Sequence, residues 1–157
     1  MDKLGSGTSL VKSNILGIDC GLDCNEPYAA NTPVKLSAQP APGYQFVHWS
    51  GACTGTTCAL TMNAAKKVTA HFALQSFALT VANKNKTGGT VSGGGINCGP
   101  TCTRNFPYAT IVTLRAVPKQ GYLFAGWGGH CAAVTGRTCR VEVSQARNVS
   151  ANFTPAP

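Results

Sequence analysis

The sequence predicts a mainly β chain made of two tandem copies of one small, disulfide-stapled module, and three observations carry that prediction. Apolar and polar residues alternate in short runs, eight cysteines fall within 157 residues, and the chain matches itself from end to end. Period-two alternation marks half-buried strands, because successive side chains of a strand point to opposite faces. Eight cysteines in so short a chain indicate an oxidising, extracellular or cell-surface location.

The self-match begins where Ile18-Asp19-Cys20-Gly21-Leu22-Asp23-Cys24 falls on Ile96-Asn97-Cys98-Gly99-Pro100-Thr101-Cys102, an offset of 98 − 20 = 78. It runs without a gap through Thr32, Val34, Leu36, Ala38, Pro40, Gly43, Tyr44, Phe46, Trp49, Gly51 and Cys53. Beyond Cys53 the offset becomes 139 − 58 = 81, with Cys58 on Cys139, Val68 on Val149, Ala70 on Ala151 and Phe72 on Phe153. The second copy therefore carries three extra residues between its third and fourth cysteines. Such a period exceeds that of short-repeat solenoids and suits a complete small domain per copy. We assign residues 1–73 to the first module and 74–157 to the second, with Thr154-Pro155-Ala156-Pro157 read as the start of a linker to other domains of a parent protein.

Along the chain the alternating runs are Val34/Leu36/Ala38, Tyr44/Phe46, Leu60/Met62 and Val68/Ala70/Phe72, then Phe77/Leu79/Val81, Val112/Leu114/Ala116, Val141/Val143 and Val149/Ala151/Phe153. Each is a strand. Pro40-Ala41-Pro42-Gly43, Gly88-Gly89 and Gly93-Gly94-Gly95 separate them as turns, through fixed or unrestricted φ. The second copy opens with a strand at Phe77–Asn83, whereas only Met1–Leu4 precedes the matching Gly5-Ser6-Gly7-Thr8 of the first. The first copy is thus expected to lack its first strand, either because the chain is a mature or excised piece or because the open edge takes a strand from elsewhere, by self-assembly among others. No apolar window approaches the roughly 18 residues of a membrane span, so no insertion into a bilayer is expected.

Gly-Ile-x-Cys-Gly-x-x-Cys, Val-x-Leu-x-Ala-x-Pro, Gly-Tyr-x-Phe-x-x-Trp-x-Gly-x-Cys and Val-x-Ala-x-Phe occur in this order in both copies. They stand at Gly17–Cys24, Val34–Pro40, Gly43–Cys53 and Val68–Phe72, and again at Gly95–Cys102, Val112–Pro118, Gly121–Cys131 and Val149–Phe153. This pattern resembles the divergent internalin-type B-repeat family of bacterial surface and secreted proteins. The resemblance implies a compact β-grasp-like module used as a repeated spacer or adhesion element, with no catalytic chemistry and no cofactor.

Four cysteines per copy also suit a four-thiolate zinc site, but the spacing of the second pair speaks for disulfides. Zinc pairs hold two to four intervening residues because both sulfurs must reach one ion. Here the second pair holds four in one copy and seven in the other. A stapled loop tolerates such growth, so Cys53–Cys58 and Cys131–Cys139 are expected as bridges, with Cys20–Cys24 and Cys98–Cys102 as tight local ones. Trp49 and Trp127 recur with their flanking Tyr and Phe, and a shared core explains that better than sugar-stacking platforms.

His48, His71 and His130 have no histidine at the matching positions of the other copy, and the acids Asp2, Asp19, Asp23, Glu26 and Glu142 are likewise unduplicated. A triad or a carboxylate pair is not credible in a copy with one acid, so no enzyme is expected. Two carboxylates around Asp19–Asp23 fall short of a calcium shell, and no metal site is expected. Charge is asymmetric. Lysine and arginine against aspartate and glutamate give 5 − 4 = +1 for residues 1–72 and 8 − 1 = +7 for residues 73–157. Lys84, Lys86, Arg137 and Arg140 are the expected patch for a polyanion, with an anionic glycan or cell-surface polymer ranked above nucleic acid, since no aromatic-basic interleaving marks a nucleic-acid module.

Overall fold

In the segment Thr110–Pro118, Val112, Leu114 and Ala116 are buried while Ile111, Thr113, Arg115 and Val117 are exposed, and the same alternation recurs along most strands of the chain. The computed structural model describes residues 1–4, 8–85, 87–99 and 101–157, with the side chains of all but Leu4 and Thr101. Gly5-Ser6-Gly7, read above as the match to the Gly88-Gly89 turn, lies outside that set. The described chain divides into two compact units, Met1–Gln75 and Ser76–Pro157.

The second unit contains β7 (Ser76–Asn83), β8 (Gly89–Gly93), β9 (Ile96–Cys98), β10 (Thr101–Pro107), β11 (Thr110–Pro118), β12 (Tyr122–Gly129), β13 (Thr138–Val143) and β14 (Arg147–Pro155). They form two four-stranded sheets, ordered β10-β7-β14-β12 and β13-β11-β8-β9. Residues of both sheets, among them Leu79, Val149 and Phe153 from one and Val91, Leu114 and Val141 from the other, make a single buried cluster. Two apolar faces thus cover each other, the ordinary solution for sheets with one polar side. The first and last strands of the unit, β7 and β14, pair in parallel from Arg147↔Leu79 to Ala151↔Asn83.

The first unit repeats this plan in reduced form with β1 (Asp2–Leu4), β2 (Leu10–Ser13), β3 (Thr32–Gln39), β4 (Tyr44–Gly51), β5 (Cys58–Met62) and β6 (Val68–Leu74). Its sheets are β1-β6-β4 and β2-β3-β5. The expectation that this copy lacks its first strand needs correction in one respect. Asp2–Leu4 pairs in parallel with Thr69–His71, so three residues of the strand are present where β7 has eight. Backbone hydrogen bonds form this pairing, and Lys67 Nζ adds an ion pair to Asp2 Oδ2 at 3.0 Å.

Two further readings change. Thr154 and Pro155, expected in a linker, complete β14 opposite Leu123 and Tyr122. Gly89, expected in a turn, lies within β8 because its missing Cβ makes room for the Phe153 ring. Pro40–Gly43 does form the β3–β4 turn, with Gly43 at φ 80°, and its counterpart Gly121 has φ 82°. β4 and β12 each carry a bulge at matching places, between Phe46 and His48 and between Phe124 and Gly126.

Candidate functional site

The eight cysteines form four bridges: Cys20–Cys24, Cys53–Cys58, Cys98–Cys102 and Cys131–Cys139. Their positions explain why each unit needs two. In the second unit, Cys98 on β9 joins Cys102 on β10, and Cys131, just after β12, joins Cys139 on β13. β10 and β12 are the outer strands of one sheet, β9 and β13 those of the other. Each bridge therefore ties the two sheets together along one open side, where a small sandwich has least packing to hold it. Cys53–Cys58 does the same for β4 and β5 in the first unit, while Cys20 docks on β2 through its N–H to Val11 O at 2.7 Å.

The shared aromatics are also spent on the core. Trp49 and Trp127 are 2% and 8% exposed. Phe46 packs 5.0 Å from Trp49 and 5.8 Å from Phe72, and Phe124 packs 5.1 Å from Trp127 and 5.7 Å from Phe153, centroid to centroid. The Trp127 indole N–H donates to Gly136 O at 2.9 Å, which roots the enlarged cysteine loop to the core. The glycine of Trp-x-Gly-x-Cys has a specific role as well. Gly51 and Gly129 hold φ 89° and 65°, and a Cβ on either would strike the carbonyl of Lys67 or Asn148. Those carbonyls accept the N–H of the next residue, Ala52 at 2.9 Å and His130 at 2.8 Å.

The basic residues are distributed over more than one place in the second unit. Lys84 follows β7, its N–H bonded to Ala151 O, and its side chain borders a shallow depression with Gly126 and Trp127. Arg137 borders a second depression against the same β12 bulge, Ala125–Trp127. Arg140 stands elsewhere, on the outward face of β13 opposite Thr113, diagonal to Arg115 of β11. Lys86 lies outside the described residues. Reading by residue type missed the neighbourhood of Arg115 and Arg140, which only strand register reveals. Arg104, on β10, lies 5.7 Å above the Phe106 ring.

Among the described residues, both ion pairs, Lys12–Asp19 at 3.6 Å and Lys67–Asp2 at 3.0 Å, belong to the first unit. Lys67 holds the Asp2 carboxyl below the usual aspartate range, first by hydrogen bonding and then by its charge. Asp19 and Asp23 flank a tight turn in which Asp19 O accepts the N–H groups of Gly21, Leu22 and Asp23. His48 and His71 stack across β4 and β6 at 4.1 Å, with Ser50 Oγ 2.7 Å from His71 Nε2. No group of three or more His, Cys, Asp or Glu side chains suited to a metal ion occurs among the described residues. No helix among them is long and apolar enough to cross a membrane.

No curated protein and no solved structure matches the chain. A family model described as the divergent InlB B-repeat domain matches it twice, over residues 19–76 and 79–157. The two matches fall one on each compact unit and span the cysteine, tryptophan and glycine positions whose structural roles are given above. The chain therefore belongs to the divergent InlB B-repeat family, as two tandem copies of its domain.

Proposed function

We propose that this tandem repeat is a non-enzymatic extracellular module that serves as a spacer or adhesion element of a bacterial surface or secreted protein. The observation that carries this reading is where the shared residues go. Cys53–Cys58, Cys98–Cys102 and Cys131–Cys139 close the open sides of the sheets, Cys20–Cys24 pins the turn that docks on β2, the duplicated tryptophans and phenylalanines fill the cores, and Gly51 and Gly129 permit strand contact. What both units have in common is thus accounted for by folding. Four bridges further support export to an oxidising location. The test is exchange within the parent protein. A spacer replaced by an unrelated disulfide-stapled pair of domains of similar length leaves surface attachment intact, whereas loss of attachment rejects the spacer role.

One observation favours a second reading, in which the second unit binds a polyanion such as an anionic glycan or cell-surface polymer. Its charge of 8 − 1 = +7 for residues 73–157 meets no carboxylate ion pair among the described residues. Lys84 and Arg137 flank one bulge, and Arg115 and Arg140 share an outward sheet face. Heparin chromatography of the second unit tests this. Retention that weakens with salt and falls in the Arg137→Ala/Arg140→Ala variant supports it; equal elution of both units refutes it.

A further inference from the structure

The β4 and β12 bulges present different residues at one position of the same outward sheet face. In the first unit His48 follows the bulge opposite His71, the two rings stack at 4.1 Å, and Ser50 Oγ lies 2.7 Å from His71 Nε2. In the second unit the matching residues are Gly126, Asn152 and Gly128, with Gly126 again opposite Asn152. The side chains that fill this face in one copy are therefore missing or short in the other. A Cβ at Gly126 would meet no atom within 4 Å, so the space over the β12 bulge is open.

Two depressions meet at that opening, since Ala125, Gly126 and Trp127 border both. The one on the β14 side is also bordered by Gly128, Ser150, Asn152 and Lys84. The one along the cysteine loop is bordered by Val134, Thr135, Gly136 and Arg137, with Phe124 as an apolar wall. The first unit has a depression beside its own cysteine loop, at Phe46, Trp49, Thr56 and Thr57, but Val47 and His48 do not border it. What the second unit adds is a furrow over the bulge with a cation on either side. Lys84 and Arg137 are exposed, and neither is in an ion pair among the described residues. Glu142, the only acid of residues 73–157, stands in the other sheet, on β13 opposite Ile111.

We propose, building on the polyanion reading above, that this furrow binds a short segment of an acidic glycan, with sugar carboxylates or sulfates on Lys84 and Arg137 and sugar hydroxyls between them. Two cations set apart across a neutral lining suit a ligand whose anions are spaced along an uncharged, hydroxyl-bearing chain. The Ser150 and Thr135 hydroxyls and the Asn152 amide both donate and accept hydrogen bonds, as sugar hydroxyls do. Glycine at 126 and 128 lets a ligand come close to the β12 backbone, and Phe124 and Val134 give a ring an apolar wall. Arg137 can take a sulfate or carboxylate with two parallel N–H groups. The same lining speaks against nucleic acid, because Trp127 is 8% exposed with its N–H given to Gly136 O, which leaves no indole face for a base. The Arg115 and Arg140 face is the weaker field, since Glu142 lies two residues from Arg140 on the same side of β13.

The test is a heparin tetrasaccharide titrated into the full chain at low salt, followed by amide chemical shifts and by affinity. The expected result is saturable binding at one site per chain, with shifts centred on Ala125–Trp127 and Asn152. Ala125→Glu sets a carboxylate at the exposed centre of the furrow and weakens binding on the order of tenfold. Thr113→Glu makes the same change of charge between Arg115 and Arg140 and weakens it by less than about threefold. Lys84→Ala/Arg137→Ala removes both cations without touching β12 and also weakens binding on the order of tenfold, which keeps the test open should Ala125→Glu fail to fold. A loss in Thr113→Glu equal to or larger than that in the furrow variants assigns the ligand to the β11–β13 face and overturns the furrow, while the polyanion reading stands. Equal affinity for uncharged maltotetraose, or tighter binding of a single-stranded DNA tetranucleotide, overturns the choice of ligand. No binding of the heparin tetrasaccharide removes the polyanion reading and this proposal with it.

Discussion

Removing the Cys131–Cys139 bridge by a double change to alanine should destabilise the second unit by about 3–5 kcal/mol. The bridge has a sequence separation of 8, which closes a loop of 8 + 1 = 9 residues. Loop-closure entropy for that length gives about 2.6 kcal/mol at 25 °C. Both sulfurs are buried, and their loss from a close-packed core adds roughly 1 kcal/mol of missing contacts. For a unit of this size, the entropic part alone lowers the melting temperature by about 10–20 °C. The assay is urea unfolding followed by the emission of Trp127, the second unit's single tryptophan, with Trp49 changed to Phe to silence the first. A loss below about 1 kcal/mol would mean that packing alone closes the β12–β13 side, and the staple argument would fail.

Three more outcomes follow from the geometry. Gly129→Ala should cost about 3 kcal/mol, against about 1–2 kcal/mol for Gly136→Ala, which also has positive φ but open space at its Cβ; equal losses in chemical denaturation would show that close approach to Asn148 O does not matter. Because Lys67 lowers the Asp2 carboxyl in the folded chain, the stabilisation is present at neutral pH and is lost as pH falls through that lowered value. Protection of the β1 amides, referenced to intrinsic exchange at each pH, should then fall in acid for the native chain and show no such step in Asp2→Asn; a step common to both would place the titration elsewhere. In the second unit, Trp127→Phe removes the bond to Gly136 O, and exchange in the 131–139 loop should rise with little change in β11; an unchanged loop would mean that the bridge alone orders it.

Most of the fold was legible wherever one sheet face is buried and the other wet. β3, β4, β5, β6, β7, β11, β13 and β14 all lie on the alternating runs of the sequence. β8 escaped because Gly89 and Gly93 read as turn residues, although the first is present to admit Phe153 and the second to approach Thr113. β10 was hidden by Thr-Cys-Thr-Arg-Asn, polar residues on an outer strand that buries only Phe106 among its described side chains. The bulge in β12 interrupts period two and Gly126, Gly128 and Gly129 dilute its apolar signal, so Tyr122 and Phe124 signalled a strand only weakly, although their counterparts Tyr44 and Phe46 were read as one. The local cysteine pairs could be reasoned from spacing. That three of them bridge opposite sheets could not, since it depends on strand order. Surface charge was legible as a sum for each repeat, but its division between the β12 bulge and the β11–β13 face follows from register.

The account rests on repeats closed by local bridges, and peptide mapping under non-reducing conditions of the protein recovered from its native location tests that most directly. The predicted result is four linked peptides, Cys20 with Cys24, Cys53 with Cys58, Cys98 with Cys102 and Cys131 with Cys139, and no free thiol. Free thiols with bound zinc, or a bridge between a cysteine of residues 1–75 and one of residues 76–157, would contradict it.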